Sequence, residues 1–470
     1  MKTATESLHH QSFGQIQEDQ ELCLSSEDYS LLTDLYQLTM TACYVGEGID
    51  GRVASFELFA RRLPEGFGYA IAMGLAQVLD YLEKFQFSAS QIAGLQSTGI
   101  FADAPDRFWT LLATARFTGD VWAVPEGTAV FANEPLLRIE APLWQAQLVE
   151  TYLLNVINYQ TLIATRSARL RDVAGPDAKL LEFGTRRAFG PQAAVWAARA
   201  ALAAGIDGTS NVLAALRLGR KPVGTMAHAL VMAVSALEGS EEQAFTAFHR
   251  YFPGAPLLID TYDTVAAARL LADRVNSGEM VLEGVRLDSG DLVKLSQEVR
   301  SLLPGVPIIA SGDLDEVEIG KLKNAGACID GYGLGTKLVS GSPVNGVYKL
   351  VEIDGIPVMK EASGKVTYPG RKQIFRQIKD GQILGDCLGL SEEKPHNYDT
   401  SITLMKLVVK EGKRLYGQDS LEAIAKRTAA SVASLPAASR QLNNPISPPV
   451  EISTDLQNLT NQTRQITNKK

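Results

Sequence analysis

The sequence predicts an α/β protein: an irregular TIM-like β/α barrel, with a second α+β domain formed by the N-terminal and C-terminal segments. The barrel is predicted by seven motifs between Leu180 and Val339, each an apolar run that ends in small, polar or charged residues. The motifs are LLEFGTRRA, GIDGTSNV, PVGTMAHA, LLIDTYDT, GVRLDSGD, PIIASGDLD and GYGLGTKLV. Strands buried on both faces read as short apolar runs, and helix-length stretches separate these motifs. Barrel active sites form at the carboxyl ends of the strands. The residues at these ends therefore predict an enzyme site for a phosphorylated, hydroxyl-rich substrate.

The chain divides into five segments of different composition. Residues 1–27 are polar and predict a flexible N-terminal arm. Residues 28–150 predict an N-terminal α+β domain, and residues 151–340 hold the catalytic barrel. Residues 341–428 return to strand-like runs with turns, which predicts that they complete the second domain. Residues 429–470 are rich in Ser, Ala, Asn, Gln, Thr and Pro, which predicts a disordered tail.

Hydrophobic spacing predicts the elements of the N-terminal domain in order. The run YSLLTDLYQLTMTACYVGEG, from Tyr29, predicts a helix that Gly46 can end. RVASFELFARRLP alternates as a strand, and GYAIAMGLAQVLDYLEKF has the spacing of a second helix. Residues 118–142 predict short strands with Pro and Gly turns. The apolar stretch from Leu143 predicts a long helix that leads into the barrel.

Composition and charge exclude several classes of function. A chain of 470 residues is long enough for two or three domains with a large core. The formal net charge of -8 argues against a nucleic-acid-binding surface, which needs a clustered basic face. No apolar run reaches the roughly 20 residues of a membrane span, and the polar N-terminus lacks a secretory signal. The four cysteines lie far apart, which argues against zinc or disulfides and predicts a cytoplasmic protein.

One of the five histidines stands out by its position. His228 falls in the first turn of a predicted helix, directly after a strand end in PVGTMAHA. There the helix dipole and free N–H groups favour an anion that approaches a nucleophilic imidazole. The alternative is a buried histidine that caps local hydrogen bonds. The other four, His9, His10, His249 and His396, lie in the arm, a surface stretch or a loop.

The segment GVRLDSGD carries the densest chemistry. Arg286 and Asp288 project to the same face of a strand. A guanidinium can clamp a carboxylate or phosphate with two hydrogen bonds. A nearby carboxylate can bind ribose hydroxyls or stabilise a developing cation. The alternative is an internal salt bridge at the rim of the barrel.

Two glycine-containing motifs predict a phosphate site. ASGDLDE and GYGLGTKL follow the last two predicted strands, which commonly supply the phosphate site of such barrels. Glycine lets backbone N–H groups approach an anion closely. The alternative is a pair of ordinary barrel loops.

EFGTRRA and its neighbours supply further candidates. Phe183 is a possible stacking ring, and Arg186 and Arg187 are possible anion ligands; a core ring and surface arginines are the alternative. In LIDTYDT, Asp260 and Asp263 could hold hydroxyls or a hydrated Mg²⁺, or could cap helices.

The motif GTSNV offers small neutral hydrogen-bonding side chains. These are Thr209, Ser210 and Asn211. None of them carries a charge that would repel a carboxylate substrate.

With these motifs in this order, the chain resembles the nicotinate phosphoribosyltransferase family, a type II phosphoribosyltransferase family. The resemblance covers residues 29 to about 425 and includes TDLYQLTM and KEASGKVTYPGRKQIFR. It implies conversion of nicotinate and 5-phosphoribosyl pyrophosphate to nicotinate mononucleotide and pyrophosphate, the first step of NAD salvage from nicotinate. It also implies ATP hydrolysis, Mg²⁺, and a homodimer with shared active sites.

The resemblance also assigns roles to residues. It implies that ATP phosphorylates His228, and that Asp288 and Arg286 act in catalysis at the ribose and at the nicotinate or phosphate. The pyridine ring would lie between Phe183 and Tyr36 of the partner subunit. The implied substrate-binding residues are Tyr36, Phe183, Arg186, Thr209, Ser210, Asp260, Gly312, Asp313, Gly333, Gly335 and Thr336.

Ser210 bears on the choice of substrate. In the family's nicotinamide enzymes an aspartate in the motif matching GTSNV binds the carboxamide, whereas serine tolerates a carboxylate. This favours nicotinate, while quinolinate would need a denser basic pocket. Two rival interpretations are a Schiff-base lyase that uses Lys337 and a catalytically silent regulatory protein on the same scaffold.

Overall fold

The structure of the protein is a computed structural model. It describes residue 22 and residues 24–362, 365–394 and 401–467. Most of the segment predicted as a flexible arm lies outside the described residues, as do His9, His10 and His396.

The described residues form helices and strands throughout. The helices are α1 (Leu35–Gly46), α2 (Leu75–Glu83), α3 (Ala89–Ser97), α4 (Asp106–Ala113), α5 (Leu143–Leu148), α6 (Glu150–Ala174), α7 (Pro191–Ala203), α8 (Val212–Arg217), α9 (His228–Glu238), α10 (Glu241–Tyr251), α11 (Thr264–Asn276), α12 (Leu292–Leu302), α13 (Glu316–Asn324), α14 (Thr336–Val339), α15 (Leu421–Ala433), α16 (Ala437–Arg440) and α17 (Thr454–Thr467). The strands are β1 (Val53–Ala60), β2 (Ala70–Ile71), β3 (Asp120–Ala123), β4 (Ala129–Val130), β5 (Pro135–Pro142), β6 (Lys179–Glu182), β7 (Gly208–Thr209), β8 (Leu257–Leu258), β9 (Val285–Leu287), β10 (Ile308–Ser311), β11 (Gly331–Leu334), β12 (Gly346–Ile353), β13 (Ile356–Pro357), β14 (Glu361–Ala362), β15 (Lys365–Val366), β16 (Lys372–Lys379), β17 (Gln382–Leu390), β18 (Ser401–Thr403), β19 (Lys406–Lys410), β20 (Lys413–Arg414) and β21 (Val450–Ile452).

The first helix is shorter than its apolar spacing predicts. Residues 24–34 form turns, and the helix begins at Leu35. Asp34 occupies the N-cap position, and its backbone N–H donates to Thr151 Oγ1 at 3.3 Å. This contact with α6 holds the residues that precede Leu35 outside α1.

At the centre of the fold, six strands form a parallel sheet. Their order is β7-β6-β11-β10-β9-β8, so the carboxyl ends of all six lie along one edge. An α/β protein with a parallel sheet is therefore confirmed.

Closure of this sheet into a barrel is not confirmed. In the described part of the chain, the hydrogen-bonded order ends at β7 on one side and at β8 on the other. PVGTMAHA is the one motif of the seven that contains no strand. It runs beside β7, where Val223 N–H donates to Thr209 O at 2.9 Å. Pro222 lacks an N–H group and Gly224 weakens a strand, so this segment cannot build a regular ladder.

A second sheet, with antiparallel pairing throughout, joins the N-terminal and C-terminal segments of the described chain. Its order is β13-β12-β1-β5-β3-β19-β20. β1 pairs with β12, with Leu58 opposite Tyr348, and also with β5. The N-terminal and C-terminal segments thus share one sheet. The Phe56 and Tyr348 rings stack in its core, with centroids 4.9 Å apart. Helix α6 links the two main cores, because Val156 packs in one and Ile163 in the other.

The prediction of a disordered tail from residue 429 is wrong for the residues described up to 467. The segment contains the end of α15 and also α16, β21 and α17, and β21 pairs in parallel with β17. Val432 and Leu456 are buried. The segment is mostly polar but contains a small number of apolar residues. These are enough to fold the segment because they pack on surfaces supplied by distant parts of the chain.

No described helix is both long enough and apolar enough to cross a membrane.

Candidate active site at the carboxyl ends of the parallel strands

Arg286, on β9, is the centre of a hydrogen-bonded cluster. Its Nε donates to Ser311 Oγ at 2.8 Å, its Nη2 to Asp288 Oδ1 at 2.8 Å and its Nη1 to the carbonyl oxygen of Met226 at 3.2 Å. Ser311 Oγ in turn donates to Asp288 Oδ1. Because all three guanidinium nitrogens are held, the orientation of the Arg286 plane is fixed.

Arg286 and Asp288 therefore form the salt bridge that the alternative interpretation predicted. The same two side chains are the predicted functional pair. The Arg286 side chain is 14% exposed and that of Asp288 is 33% exposed. A ligand can reach this ion pair from the open end of the sheet.

Hydrogen bonds keep the Asp288 carboxyl ionised. Burial opposes the charge, but hydrogen bonds from Arg286 and Ser311, together with the charges of Arg286 and His228, outweigh burial and hold the pKa of Asp288 below its usual range. A carboxylate of this kind can stabilise positive charge that develops on a substrate.

Asp260, just beyond β8, connects this cluster to the next strand end. Its Oδ2 accepts from the backbone N–H of Asp288 at 2.8 Å and from Ser289 Oγ at 2.7 Å. Its Oδ1 is buried and has no hydrogen-bond partner among the described residues. His228 Nε2 lies 3.8 Å from that oxygen.

His228 is the first residue of α9, as the sequence predicts. Its Nδ1 lies 3.1 Å from Thr261 Oγ1, and its side chain is 38% exposed. The N-cap residue, Ala227, gives the helix no side-chain cap. The free N–H groups of the first turn can therefore receive an anion beside the imidazole.

Phe183 follows β6 and packs against the same cluster. Its ring centroid lies 5.8 Å from Arg286 Cζ, and its backbone N–H donates to Leu334 O at 2.7 Å. A Cβ atom at Gly333 would lie 2.7 Å from Phe183 Cε2. Gly333 therefore makes room for the ring, and its contact with phosphate stays a prediction.

Replacing Gly333 by alanine is expected to lower the free energy of unfolding by about 1–3 kcal/mol, because the added methyl group overpacks against Phe183. Urea unfolding monitored by circular dichroism would measure the change. Gly254→Ala is the matched control, since a Cβ atom there has no neighbour within 4 Å. Equal stability of the Gly333 variant and wild type would contradict the assigned packing role.

Two loops at the same edge present free backbone N–H groups. Gly312 and Asp313 have positive φ angles of 98° and 47°, and a Cβ atom at Gly312 would clash with the carbonyl oxygen of Asp288. No described acceptor takes the N–H groups of these two residues, nor those of Gly335 and Thr336. Such exposed amides form anion-binding surfaces, and the predicted phosphate contacts remain a prediction.

Two acidic residues of these loops cap helices. Asp263 Oδ1 accepts from the N–H groups of Val265 and Ala266 at the start of α11, as the alternative interpretation proposed. Asp315 caps α13 in the same way. Lys337 Nζ lies 3.4 Å from Asp315 Oδ2, and its side chain is 52% exposed. This setting does not favour a Schiff-base lysine.

Glu182, at the end of β6, organises the GTSNV loop. It is 1% exposed and accepts hydrogen bonds from Thr209 Oγ1 and from Gly184 N–H. Burial raises the pKa of Glu182, and these hydrogen bonds offset only part of the effect. Thr209 Oγ1 also accepts from Asn211 N–H at 2.9 Å. The Thr209 hydroxyl therefore holds the loop together, while Ser210 is half-buried beside it.

The remaining predicted side chains lie further out. Arg186 and Arg187 are exposed. Tyr36, on α1, is 47% exposed and lines a cavity of 410 Å³ together with Glu150 and Phe189. Burial, followed by the charges of Glu150 and Asp34, raises the pKa of Tyr36 to about 12. Phe183 does not line this cavity, so within one chain Tyr36 and Phe183 do not form a sandwich there.

Sequence reasoning missed three side chains that shape the site: Ser311, Thr261 and Glu182. Each lies inside a quoted motif: Glu182 and Ser311 are the last residues of β6 and β10, and Thr261 lies three residues beyond the end of β8. Their role could have been suspected from that position alone. Their hydrogen-bond partners, 23 or more residues away along the chain, could not.

The described residues contain no group of three or more His, Cys, Asp or Glu side chains that could hold a metal ion.

Three protein-family models match the chain. They are the nicotinate phosphoribosyltransferase (NAPRTase) N-terminal domain over residues 31–158, the NAPRTase family over residues 178–309 and the NAPRTase C-terminal domain over residues 396–460.

Individual proteins are similar along most of their length. The chain is 44% identical over 375 residues to nicotinate phosphoribosyltransferase pncB2 of Mycobacterium tuberculosis, covering 77% of this chain and 78% of that protein. It is 42% identical over 402 residues to nicotinate phosphoribosyltransferase of Bacillus subtilis, covering 80% and 79%. The crystal structure of human nicotinic acid phosphoribosyltransferase superimposes with a TM-score of 0.81 at 30% identity, covering 92% of this chain and 99% of the other.

Proposed function

The chain belongs to the nicotinate phosphoribosyltransferase family of enzymes, and we propose that it transfers a phosphoribosyl group to nicotinate with the help of ATP. The products would be nicotinate mononucleotide and pyrophosphate, which is the first step of NAD salvage from nicotinate. The observation that carries the proposal is the cluster of Arg286, Asp288 and Ser311 beside the Phe183 ring.

The pyridine ring would stack on Phe183. Arg286 lies 5.8 Å from the centroid of that ring, within reach of a carboxylate attached to a stacked heterocycle. An arginine with a fixed plane recognises a carboxylate through two parallel hydrogen bonds. Stacking also orients the pyridine nitrogen toward the ribose, which lowers the barrier by positioning.

At the ribose, the pyridine nitrogen would form a bond to the anomeric carbon while the bond from that carbon to pyrophosphate breaks. The electron pair of the broken bond leaves with pyrophosphate, and the sugar passes through a state with cationic character. The ionised Asp288 is suited to stabilise that charge. The free amides of Gly312, Asp313, Gly335 and Thr336 would hold the 5-phosphate.

His228 is proposed to accept the terminal phosphoryl group of ATP. The buried Asp260 Oδ1, which lacks a hydrogen-bond partner, favours a proton on Nε2 of the imidazole. The lone pair then resides on Nδ1, which faces Thr261 Oγ1 at 3.1 Å. Nδ1 would attack the phosphorus, the bond from phosphorus to ADP would break, and the phosphohistidine would later be hydrolysed.

Mg²⁺ is compatible with this site as a partner of the substrate phosphates. Asp288 accepts its described side-chain hydrogen bonds on Oδ1, which leaves Oδ2 as a possible ligand. Mg²⁺ usually binds one or two carboxylates together with substrate phosphates and water. When bound, it would neutralise charge on the leaving pyrophosphate.

A homodimer with shared active sites would bring a second aromatic ring to Phe183. Tyr36 is 47% exposed, although it carries a large apolar ring. This exposure supports a role for Tyr36 of the partner subunit as the opposite face of the pyridine sandwich. Sedimentation velocity with the full chain would test the dimer, and a monomer at assay concentration would rule out sharing.

The overall proposal is tested by product formation from nicotinate and 5-phosphoribosyl pyrophosphate, with and without ATP. Nicotinate mononucleotide is expected, and ATP is expected to increase its rate. Absence of product from nicotinate, nicotinamide and quinolinate would overturn the proposal.

Replacing Ser210 by aspartate is expected to reduce the kcat/KM ratio of nicotinate to nicotinamide by at least about tenfold, or 1.4 kcal/mol, because the new carboxylate repels nicotinate and accepts a bond from a carboxamide. Steady-state assays with both substrates would measure the ratio. Ser210→Asn is the matched control, since it has a similar size without the charge. An unchanged ratio in the aspartate variant would remove Ser210 from the specificity site.

A further inference from the structure

A second cavity, with a volume of 470 Å³, lies between the N-terminal domain and helices α7 and α8. Small-molecule sites commonly enclose about 300–1,000 Å³. One wall consists of Tyr29, α2 and Tyr152 of α6, and another consists of α7 and α8. None of the predicted site residues lines it.

Aromatic rings line both walls of this interdomain cavity. The Tyr29 and Tyr152 rings lie 4.9 Å apart between centroids, and Tyr152 stacks on Tyr81 at 4.2 Å. Trp196 of α7 lies on the other wall. Each of these lining rings is partly or fully buried, so their orientations are restrained. Tyr152 is buried against Tyr29 and Tyr81, so the half-buried rings of Tyr29 and Trp196 are the surfaces on which a flat heterocycle can stack.

The cavity carries an excess of positive charge. Lys84, at the end of α2, and Arg217, in the last turn of α8, both line it and are exposed. Within the described residues, neither forms an ion pair.

The other charged residues that line the cavity form ion pairs. Arg199 donates to both carboxylate oxygens of Glu126, at 3.0 and 2.7 Å. Asp80 and Glu83 share Arg414, at 2.6 and 2.5 Å. Lys84 and Arg217 therefore remain available for an anion.

Hydrogen-bond donors also line the cavity. Gln77 Oε1 already accepts from Gln160 at 2.8 Å, which leaves the Gln77 Nε2 group free to donate. The side chains of Gln192 and Trp196 have no described hydrogen-bond partner and add further N–H donors. The expected ligand is thus flat, rich in acceptors and negatively charged.

We propose that this interdomain cavity binds a nucleoside monophosphate, with its base against the Tyr29 and Trp196 rings and its phosphate between Lys84 and Arg217. The occupant would contact α7, which follows the EFGTRRA motif, and α8, which follows GTSNV. Asn211, the N-cap of α8, is hydrogen-bonded through its N–H to Thr209. The cavity is therefore lined by helices that follow the substrate loops, while the predicted site residues of those loops do not line it.

Isothermal titration of the full chain with adenosine 5′-monophosphate tests this proposal. Arg217→Glu and Lys84→Glu are each expected to weaken binding by about tenfold or more, since an attractive charge becomes repulsive. Arg220→Glu is the matched control: it makes the same charge change three residues beyond Arg217, outside the cavity lining. It is expected to leave the Kd within about twofold of wild type. Thermal unfolding would verify that each variant is folded. If either Arg217→Glu or Lys84→Glu is unstable, the other is enough to test the proposal.

Saturating 5-phosphoribosyl pyrophosphate separates this site from the catalytic one. Binding of the monophosphate is expected to persist in its presence, whether or not the chain proves to be a transferase. Displacement by 5-phosphoribosyl pyrophosphate, equal weakening in Arg220→Glu, or absence of binding would overturn the proposal. Adenosine alone binding as tightly as the monophosphate would also overturn it, because Lys84 and Arg217 would then contribute nothing.

Discussion

Replacing Arg286 by alanine is expected to lower kcat/KM for nicotinate by about a thousandfold or more, equivalent to roughly 4 kcal/mol. The substitution removes three hydrogen bonds that join Ser311, Asp288 and the carbonyl of Met226. It also removes the guanidinium proposed to clamp the substrate. Loss of a single positioned donor in an active site commonly costs about a hundredfold to a thousandfold, and here the orientation of Asp288 is lost as well. Initial rates of nicotinate mononucleotide formation would measure the change.

Two further variants distinguish a catalytic role from a structural one. Arg286→Lys retains the charge but not the planar fork, so it is expected to recover only a small part of the activity. Arg269→Ala, on the exposed face of α11, removes an arginine outside the site and is expected to have wild-type activity. An alanine variant of Arg286 within tenfold of wild-type kcat/KM would show that the cluster is only a structural ion pair.

Replacing His228 by alanine is expected to abolish the stimulation of product formation by ATP. The rate with ATP divided by the rate without it should fall to about one, because no nitrogen remains to accept the phosphoryl group. Basal transfer should persist, since Arg286, Asp288 and Phe183 are unaltered. Incubation with γ-labelled ATP, followed by acid and base treatment of the protein, would detect the acid-labile phosphohistidine in wild type alone.

His249→Ala provides the control for this experiment, since His249 lies on α10 and outside the cluster. Asp260→Asn would test the proposed proton arrangement, because the amide no longer favours a proton on His228 Nε2. It is expected to slow phosphorylation while leaving the phosphohistidine detectable. Full ATP stimulation in His228→Ala would discard the histidine mechanism but keep the transferase.

The local chemistry of the strand ends could be predicted from the sequence. Apolar runs bounded by Asp, Arg, Gly and Ser predicted seven strands, of which six are present, and His228 lies at the helix start where its motif places it. These features depend on residues close together in the chain. Burial on both faces makes a strand apolar, and the end of the strand releases the next residues for polar contacts.

The partners of those residues depend on the tertiary structure. The close contact of Gly333 with the Phe183 ring depends on how closely β6 and β11 approach each other. Whether Thr209 meets a substrate or Glu182 depends on the pairing of β6 with β7.

The sequence by itself thus determined the strand order along the chain, the catalytic candidates and the family. Only the tertiary structure decided that β7 and β8 are not hydrogen-bonded into a closed barrel in the described chain, and that the residues up to 467 are folded. The physical reason is the range of the interactions. Hydrophobic periodicity depends on residues that are neighbours in the sequence. Closure of a sheet and burial of a polar tail depend instead on surfaces that come from distant segments.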